Sequence, residues 1–262
     1  MTDLLHDDYT VVSYNLLSHG YTKFNQALHG QPTPLESEEQ LATRRRRELD
    51  TIAAVSPAVL LLQEHDTDFA IPGYNRGVRA CVDGRTEGCS VLLADSCPHG
   101  MDTSFTIDLG DGKSAAVALV GGVWFVSCHL KGGPGSGHAK KRQVASILCA
   151  LGKEAGRAYS AVWAGDMNET APGDLFGEEC AAAGFTLMDP VGHTGLTSAM
   201  DVALTLDHVM VHGLPRASVS IELPLAPDAR TPWAAGAEQG SDHVPVVIRI
   251  RLAPRAAAAP CE

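Results

Sequence analysis

The sequence predicts an α+β fold in which two packed, mostly antiparallel β-sheets are flanked by helices, a four-layer α/β sandwich. Three observations predict it. Short β-branched runs recur along the chain between Gly- and Asp-containing turns. Helical patterns fall between groups of strands. The 262 residues, 45% hydrophobic and 19% charged, supply a sizeable core with no linker in the middle. A single domain over residues 1–252 is expected, followed by a low-complexity tail over 253–262 that should fray.

Tyr9-Thr-Val-Val-Ser-Tyr14 is a β-branched and aromatic run that delivers Asn15 at its end, as a first strand would. Pro32 and Pro34 mark a loop. Glu38 to Val55 collects helix formers with Leu41, Leu49, Ile52 and Val55 on one face, and Pro57 stops it. Ala58 to Gln63 is apolar enough for a buried strand and ends in Gln63-Glu64-His65-Asp66. Runs at Ser90–Ala94, Thr103–Leu109, Ala115–Val120 and Val123–His129, divided by turns such as Gly110-Asp-Gly112, suggest an antiparallel meander. Lys140 to Leu151 is helical by pattern, and Ala161–Ala164 is a strand leading into Gly165-Asp166-Met167-Asn168. Leu175 to Ala183 reads as a short helix, and Leu204–Val211 and Val244–Arg251 as strands.

Twenty basic against 31 acidic residues give a formal charge of −11, so the molecule's overall field repels polyphosphate. Any action on phosphate esters would need compensating cations. The first eight residues hold no apolar run of signal-peptide length, and no stretch reaches membrane-spanning length, so a cytoplasmic or nuclear protein is expected. The seven cysteines are odd in number and lack CxxC pairing, which signals neither a disulfide frame nor a zinc site. The sequence assigns no oligomeric state.

Polar groups of one kind recur at strand ends: Asn15, Glu64, His129, the Asp166/Asn168 pair, Asp207, and Asp242-His243. Asp166 and Asn168 are two apart, so a continuing strand would point both to one side, while the same spacing after a glycine also suits an Asx turn. Carboxylates and an amide of this type suit Mg²⁺, with Mn²⁺ as the alternative, and the histidines suit proton transfer near neutral pH. Ser241-Asp242-His243 equally suits a backbone cap. Lys131, two residues after His129, would face the same side if the strand continued and is a substrate-phosphate candidate, with Arg142 a possible rim contact. The four arginines Arg44 to Arg47 wrap a helix and suit a solvated face better than a binding site.

The order and context of these groups resemble the endonuclease/exonuclease/phosphatase superfamily of metal-dependent, deoxyribonuclease-like phosphoesterases. The stretches that carry the resemblance are Ser13-Tyr14-Asn15-Leu16-Leu17, Leu62-Gln63-Glu64, Ser127-Cys128-His129-Leu130, Trp163-Ala164-Gly165-Asp166-Met167-Asn168, Leu206-Asp207-His208-Val209 and Gly240-Ser241-Asp242-His243-Val244-Pro245-Val246. Tyr14-Asn15-Leu16-Leu17 followed by Tyr21, Glu87-Gly88-Cys89-Ser90, His129-Leu130-Lys131 and Arg142-Gln143 are similar to the deadenylase branch that includes nocturnin. The resemblance implies that Glu64, assisted by Asn15 and Asp242, holds the metal. It implies that Asp166 and Asn168 position or deprotonate the attacking water, that Asp207 orients His243 against the scissile phosphate, and that His129 donates to the phosphoryl oxygens. The expected activity is Mg²⁺-dependent phosphodiester hydrolysis on nucleic acid, with a 3′-exonuclease on RNA ahead of DNA cleavage. A small phosphoester substrate (a nucleotide cofactor, an inositol phosphate or a phospholipid headgroup) and a catalytically silent binding protein on the same fold are the alternatives.

Overall fold

This computed structural model describes residues 8–21, 36–156, 158–188, 193–196, 203–223 and 241–252. In chain order its first half runs β1 (Asp8–Asn15), α1 (Glu38–Val55), β2 (Val59–Asp66), β3 (Arg76–Cys81), β4 (Glu87–Leu93), β5 (Met101–Gly110), β6 (Lys113–Val120) and β7 (Val123–His129). The second half runs α2 (Gly137–Ala155), β8 (Ser160–Asp166), α3 (Pro172–Ala182), β9 (Phe185–Met188), β10 (Gly195–Leu196), β11 (Ala203–Leu204), β12 (Asp207–His212), β13 (Val219–Glu222) and β14 (Val246–Arg251).

Two six-stranded sheets result, ordered β13-β14-β1-β2-β4-β3 and β5-β6-β7-β8-β12-β9. Side-chain alternation in β1 and β2 explains how they pack. Val11, Val59 and Leu61 point inward to the core between the sheets, where Phe125, Val162 and Val209 of the second sheet meet them. Val12, Tyr14, Leu60 and Leu62 point outward and bury Leu49 and Ile52 of α1. On the far side, Val144, Ile147 and Leu151 of α2 and Phe176 of α3 cover Trp124, Val126 and Trp163. Helix, sheet, sheet, helix is the four-layer sandwich the sequence predicts.

α1 starts at a capping box in which the Ser37 side chain accepts from the Gln40 backbone and Gln40 returns the bond, and it ends at Ser56 in a left-handed conformation. The pairing is mostly antiparallel, except that each sheet has a parallel pair at its centre, β1–β2 and β7–β8. α1 and α2 lie on the crossovers these parallel pairs require.

Val123–His129 forms as predicted, and most other elements extend the predicted ones by a few residues at their ends. Three expectations are corrected. The run at Ser90 is not part of a meander with the three after it: β4 pairs with β2 and β3 in the first sheet, while β5, β6 and β7 form a meander in the second. The Leu204–Val211 strand splits into β11 and β12, because Thr205 and Leu206 lie between them and the Leu206 carbonyl is taken by the Met167 amide at 2.9 Å. Asn168 does not continue β8, which ends at Asp166. β3, β9 and β13, at sheet edges, go beyond the predicted strands. The expected tail and the prolines at 32 and 34 lie outside the described residues.

Candidate active site

The central parallel pairs end at the same rim of the sandwich, and the strand register sets the polar groups side by side there. His129 is directly opposite Asp166 across β7–β8, and Asp166 is opposite Asp207 across β8–β12. Asn15 and Glu64 arrive from the other sheet, at the ends of β1 and β2. The Asn15 amide crosses the gap, donating to Asp166 Oδ2 at 3.1 Å and to Glu64 Oε1 at 3.4 Å. The sheets are also clipped beneath this rim, where Gln63 donates to Ser127 Oγ at 2.9 Å and Ser127 donates to the Leu62 carbonyl at 2.8 Å.

Local backbone conformation aims these side chains. The β2–β4 register slips between Leu62 and His65, and Glu64 sits in that bulge at φ 51°, a left-handed conformation costly for a residue with a Cβ. Its carboxylate accepts from the Ser18 amide at 3.0 Å. Asn168 also has positive φ, 49°, and its amide donates to Asp166 Oδ1 at 2.8 Å, closing an Asx turn, while its side-chain amide donates to the Leu130 carbonyl. The turn therefore replaces the shared-face geometry, and Asn168 holds the Asp166 carboxylate through its backbone. Gly165 is required just before it: a Cβ there would come within 2.0 Å of the Cys128 carbonyl oxygen.

His243 reaches the rim on a loop fastened by Ser241, whose hydroxyl donates to the Asn15 carbonyl at 2.6 Å and accepts from the His243 amide at 3.1 Å. The cap expected of this Ser-Asp-His stretch and its place in the site are thus one arrangement. His243 Nδ1 meets Asp207 Oδ2 at 2.7 Å, with both side chains buried, and its Nε2 lies 3.7 Å from Asp166 Oδ2. Asp207 is fixed in turn by Thr194, whose hydroxyl accepts from the Asp207 amide at 2.8 Å.

Burial sets the proton balance. It pushes the Glu64 carboxyl up to about 7, with Asp242 adding to the effect. It likewise lifts Asp166 to about 6, against the opposing pull of His243. Burial alone would favour neutral His243, but Asp207 and Asp166 outweigh it and hold the imidazole well above its ordinary value, as a cation. His129 goes the other way: burial and then the Lys113 and His243 charges hold it well below the usual histidine range, as a neutral ring.

Asn15, Glu64, His129, Asp166, Asp207 and His243 are brought together, with Asn168 and Asp242 adjoining them. Asn15 Oδ1 is occupied by the Leu17 amide at 3.0 Å, so its amide group is the part that faces the two carboxylates. Two candidates are exposed and outside this buried cluster. β7 stops at His129, so alternation does not carry to Lys131, which is exposed and gives its amide to Gln143 Oε1. Arg142 is an exposed partner of Asp111 at 3.1 Å. Arg44 and Arg45 are structural, bonding Glu36 and Glu48, and Asp66 and Asp68, respectively. Sequence reasoning passed over Lys113, whose Nζ lies 2.9 Å from His129 Nε2. A signal for it exists: in a hairpin the start of one strand lies beside the end of the next, and Lys113 opens β6 while His129 closes β7. Among the described residues no three His, Cys, Asp or Glu side chains are grouped to enclose a metal.

No family model matches the chain. No curated protein matches it either. Solved structures do. Over 94% of this chain and 95% of the other, the chain superposes on ANGEL2, a 2′,3′-cyclic phosphatase, with TM-score 0.73 and 17% identity. An endonuclease/exonuclease/phosphatase from Bacteroides vulgatus matches with TM-score 0.68 and 17% identity over 94% and 99% of the two chains. The human Nocturnin catalytic domain matches with TM-score 0.66 and 17% identity over 92% of each. Together with the two packed sheets and their layered helices, these likenesses show that the chain has the fold these solved structures share.

Proposed function

We propose that the chain hydrolyses a phosphoester with the help of a divalent cation, and that its substrate is the 3′ end of an RNA. The observation that carries the reaction class is the buried Asp207–His243 pair, at 2.7 Å, set beside Asp166 and across from Glu64. The residues fit a hard cation of the Mg²⁺ or Mn²⁺ type. Glu64, Asp166 and Asp242 crowd one rim, where burial and then the Asp242 charge raise the Glu64 carboxyl to about 7, a shift that a cation bound there would oppose. Mg²⁺ is commonly held by one or two carboxylates, with water and substrate phosphate completing the shell, so a closed cage of three is not needed. Glu64 and Asp242 would hold the ion, with Asn15 orienting Glu64. When bound, such an ion offsets the phosphate's charge and lowers the pKa of a coordinated water.

The chain's own groups supply the rest. Asp166, oriented by the Asn168 amide and the Asn15 side chain, accepts a proton from the attacking water. His243, kept cationic and in one orientation by Asp207, presents Nε2 to the scissile phosphate and stabilises the charge that develops there. Neutral His129 donates a hydrogen bond to a phosphoryl oxygen.

The RNA reading is supported by the Tyr14-Asn15-Leu16-Leu17 and His129-Leu130-Lys131 stretches and by the likeness to Nocturnin. A small phosphoester is the second reading, favoured by one observation: Arg44, Arg45, Lys140 and Arg142 are each paired with an acidic side chain, at 2.7–3.1 Å, rather than forming a basic track. The test is a substrate panel in Mg²⁺ with a chelator control: 5′-labelled poly(A) and mixed RNA, single- and double-stranded DNA, an abasic duplex, NADPH and an inositol phosphate. A 3′-shortening ladder on RNA that vanishes with chelator is expected. Turnover confined to a small phosphoester would replace the RNA reading with the second one, and inactivity of the folded protein on every member would overturn both.

A further inference from the structure

Lys113 stands where a surface lysine would not. It is half-buried beside the carboxylate rim and shares a small cavity with Glu64, Glu87 and His129. Its ammonium approaches His129 Nε2 at 2.9 Å. A lysine ammonium has only donors, so a contact of that length requires Nε2 to be the acceptor. The ring's second contacts agree. Asp166 Oδ2 lies 3.5 Å from the same Nε2, at the outer limit of a hydrogen bond, and already receives the Asn15 amide at 3.1 Å. Nδ1 faces Glu64 Oε1 at 3.7 Å, across a gap wide enough to leave its direction uncommitted within the protein.

We propose that Lys113 is a positioning residue that fixes His129 as the Nδ1–H tautomer, directing its single proton toward the Glu64 side of the cleft. The inference rests on the hydrolase reading and deepens it, because in that reading neutral His129 donates its proton to a phosphoryl oxygen. Without Lys113, Asp166 Oδ2 becomes the better partner of Nε2, the ring takes the Nε2–H tautomer, and the proton is spent inside the protein.

The test reads the proton directly. In protein labelled with ¹⁵N-histidine, long-range ¹H–¹⁵N correlations distinguish a protonated ring nitrogen from a bare one, and His129→Asn identifies the signals. Wild type is expected to show a bare Nε2 and a protonated Nδ1. Lys113→Met, which keeps the stem and removes the donor, is expected to invert the pattern, and Lys113→Arg to restore it. The proposal is overturned by a protonated Nε2 in wild type, a measurement that needs no variant, or by an unchanged pattern in folded Lys113→Met. On a turned-over substrate, Lys113→Met is expected to lower kcat by roughly 10²-fold, the usual effect of losing one positioned donor, with KM little changed. The expected tautomer in a protein that hydrolyses nothing would support this assignment and overturn the hydrolase reading alone.

Discussion

Replacing Asp207 by Asn separates the charge of the Asp207–His243 pair from its shape. In the structure the carboxylate accepts from His243 Nδ1 at 2.7 Å, both side chains are buried, and the Asp207 amide is anchored on Thr194. Asn keeps the volume and an acceptor but converts a charge-assisted bond into a neutral one. Hydrogen bonds to charged groups contribute about 1.5–3 kcal/mol, and about 1.4 kcal/mol is a tenfold change in rate, so kcat should fall by roughly 10- to 150-fold. The second cost falls on stability. Asp207 Oδ1 is buried with no hydrogen-bond partner, so the Asn amide that takes its place becomes a buried donor with nothing to bond, at about 1–3 kcal/mol. Initial rates in Mg²⁺ on the substrate the panel identifies, with urea melts of the same preparations, measure both. His243→Ala removes the acting group and should cost more, about 10²–10⁴-fold. Asp207→Asn turning over within threefold of wild type would refute the orienting role, and equal losses in the two variants would mean that the pair acts as one unit.

Glu64→Ala should abolish turnover while circular dichroism stays native, and chelation should do the same to wild type, with activity returning on added Mg²⁺. Arg142→Ala should leave kcat/KM within about twofold, since an exposed ion pair contributes about 0–1 kcal/mol and this one is exposed on both sides; a loss beyond tenfold on RNA would place the substrate over α2. Phe125→Ala empties a fully buried ring from between the sheets and should cost about 3–5 kcal/mol in urea unfolding. In a Cys261→Ser background a thiol reagent should label the exposed Cys81 and Cys149, while Cys89 and Cys128, whose thiols burial pushes far up, react only in denaturant.

What could be read from the sequence follows how strongly each position depends on burial. Val123–His129 is buried at every position, so its composition alone specifies a central strand. β3 reads Arg-Gly-Val-Arg-Ala-Cys and lies half-exposed at a sheet edge, where polar residues are tolerated and the apolar alternation fades. In the site, the strand-end residues Asn15, Glu64, His129 and Asp166 could be picked out because each interrupts an apolar run. Their partners could not. Lys113 looks like any lysine after a turn until the meander folds back, and the Asn168 side chain faces the Leu130 carbonyl because of a left-handed backbone that two-residue counting cannot anticipate.

The bond from Ser241 to the Asn15 carbonyl joins residues 226 positions apart, and Asn15 reaches Asp166 across 151. Contacts of such span meet their loop-closure entropy only when the intervening chain is already ordered, so they belong among the last to form. The candidate site therefore has no precursor in any fragment: a chain cut before Ser241 would lack His243, and one lacking β1 would lose both the Asn15 bridge and the anchor of the His243 loop. On refolding from denaturant, recovery of the site should trail the recovery of secondary structure, making it a reporter of whether the two ends of the chain have met.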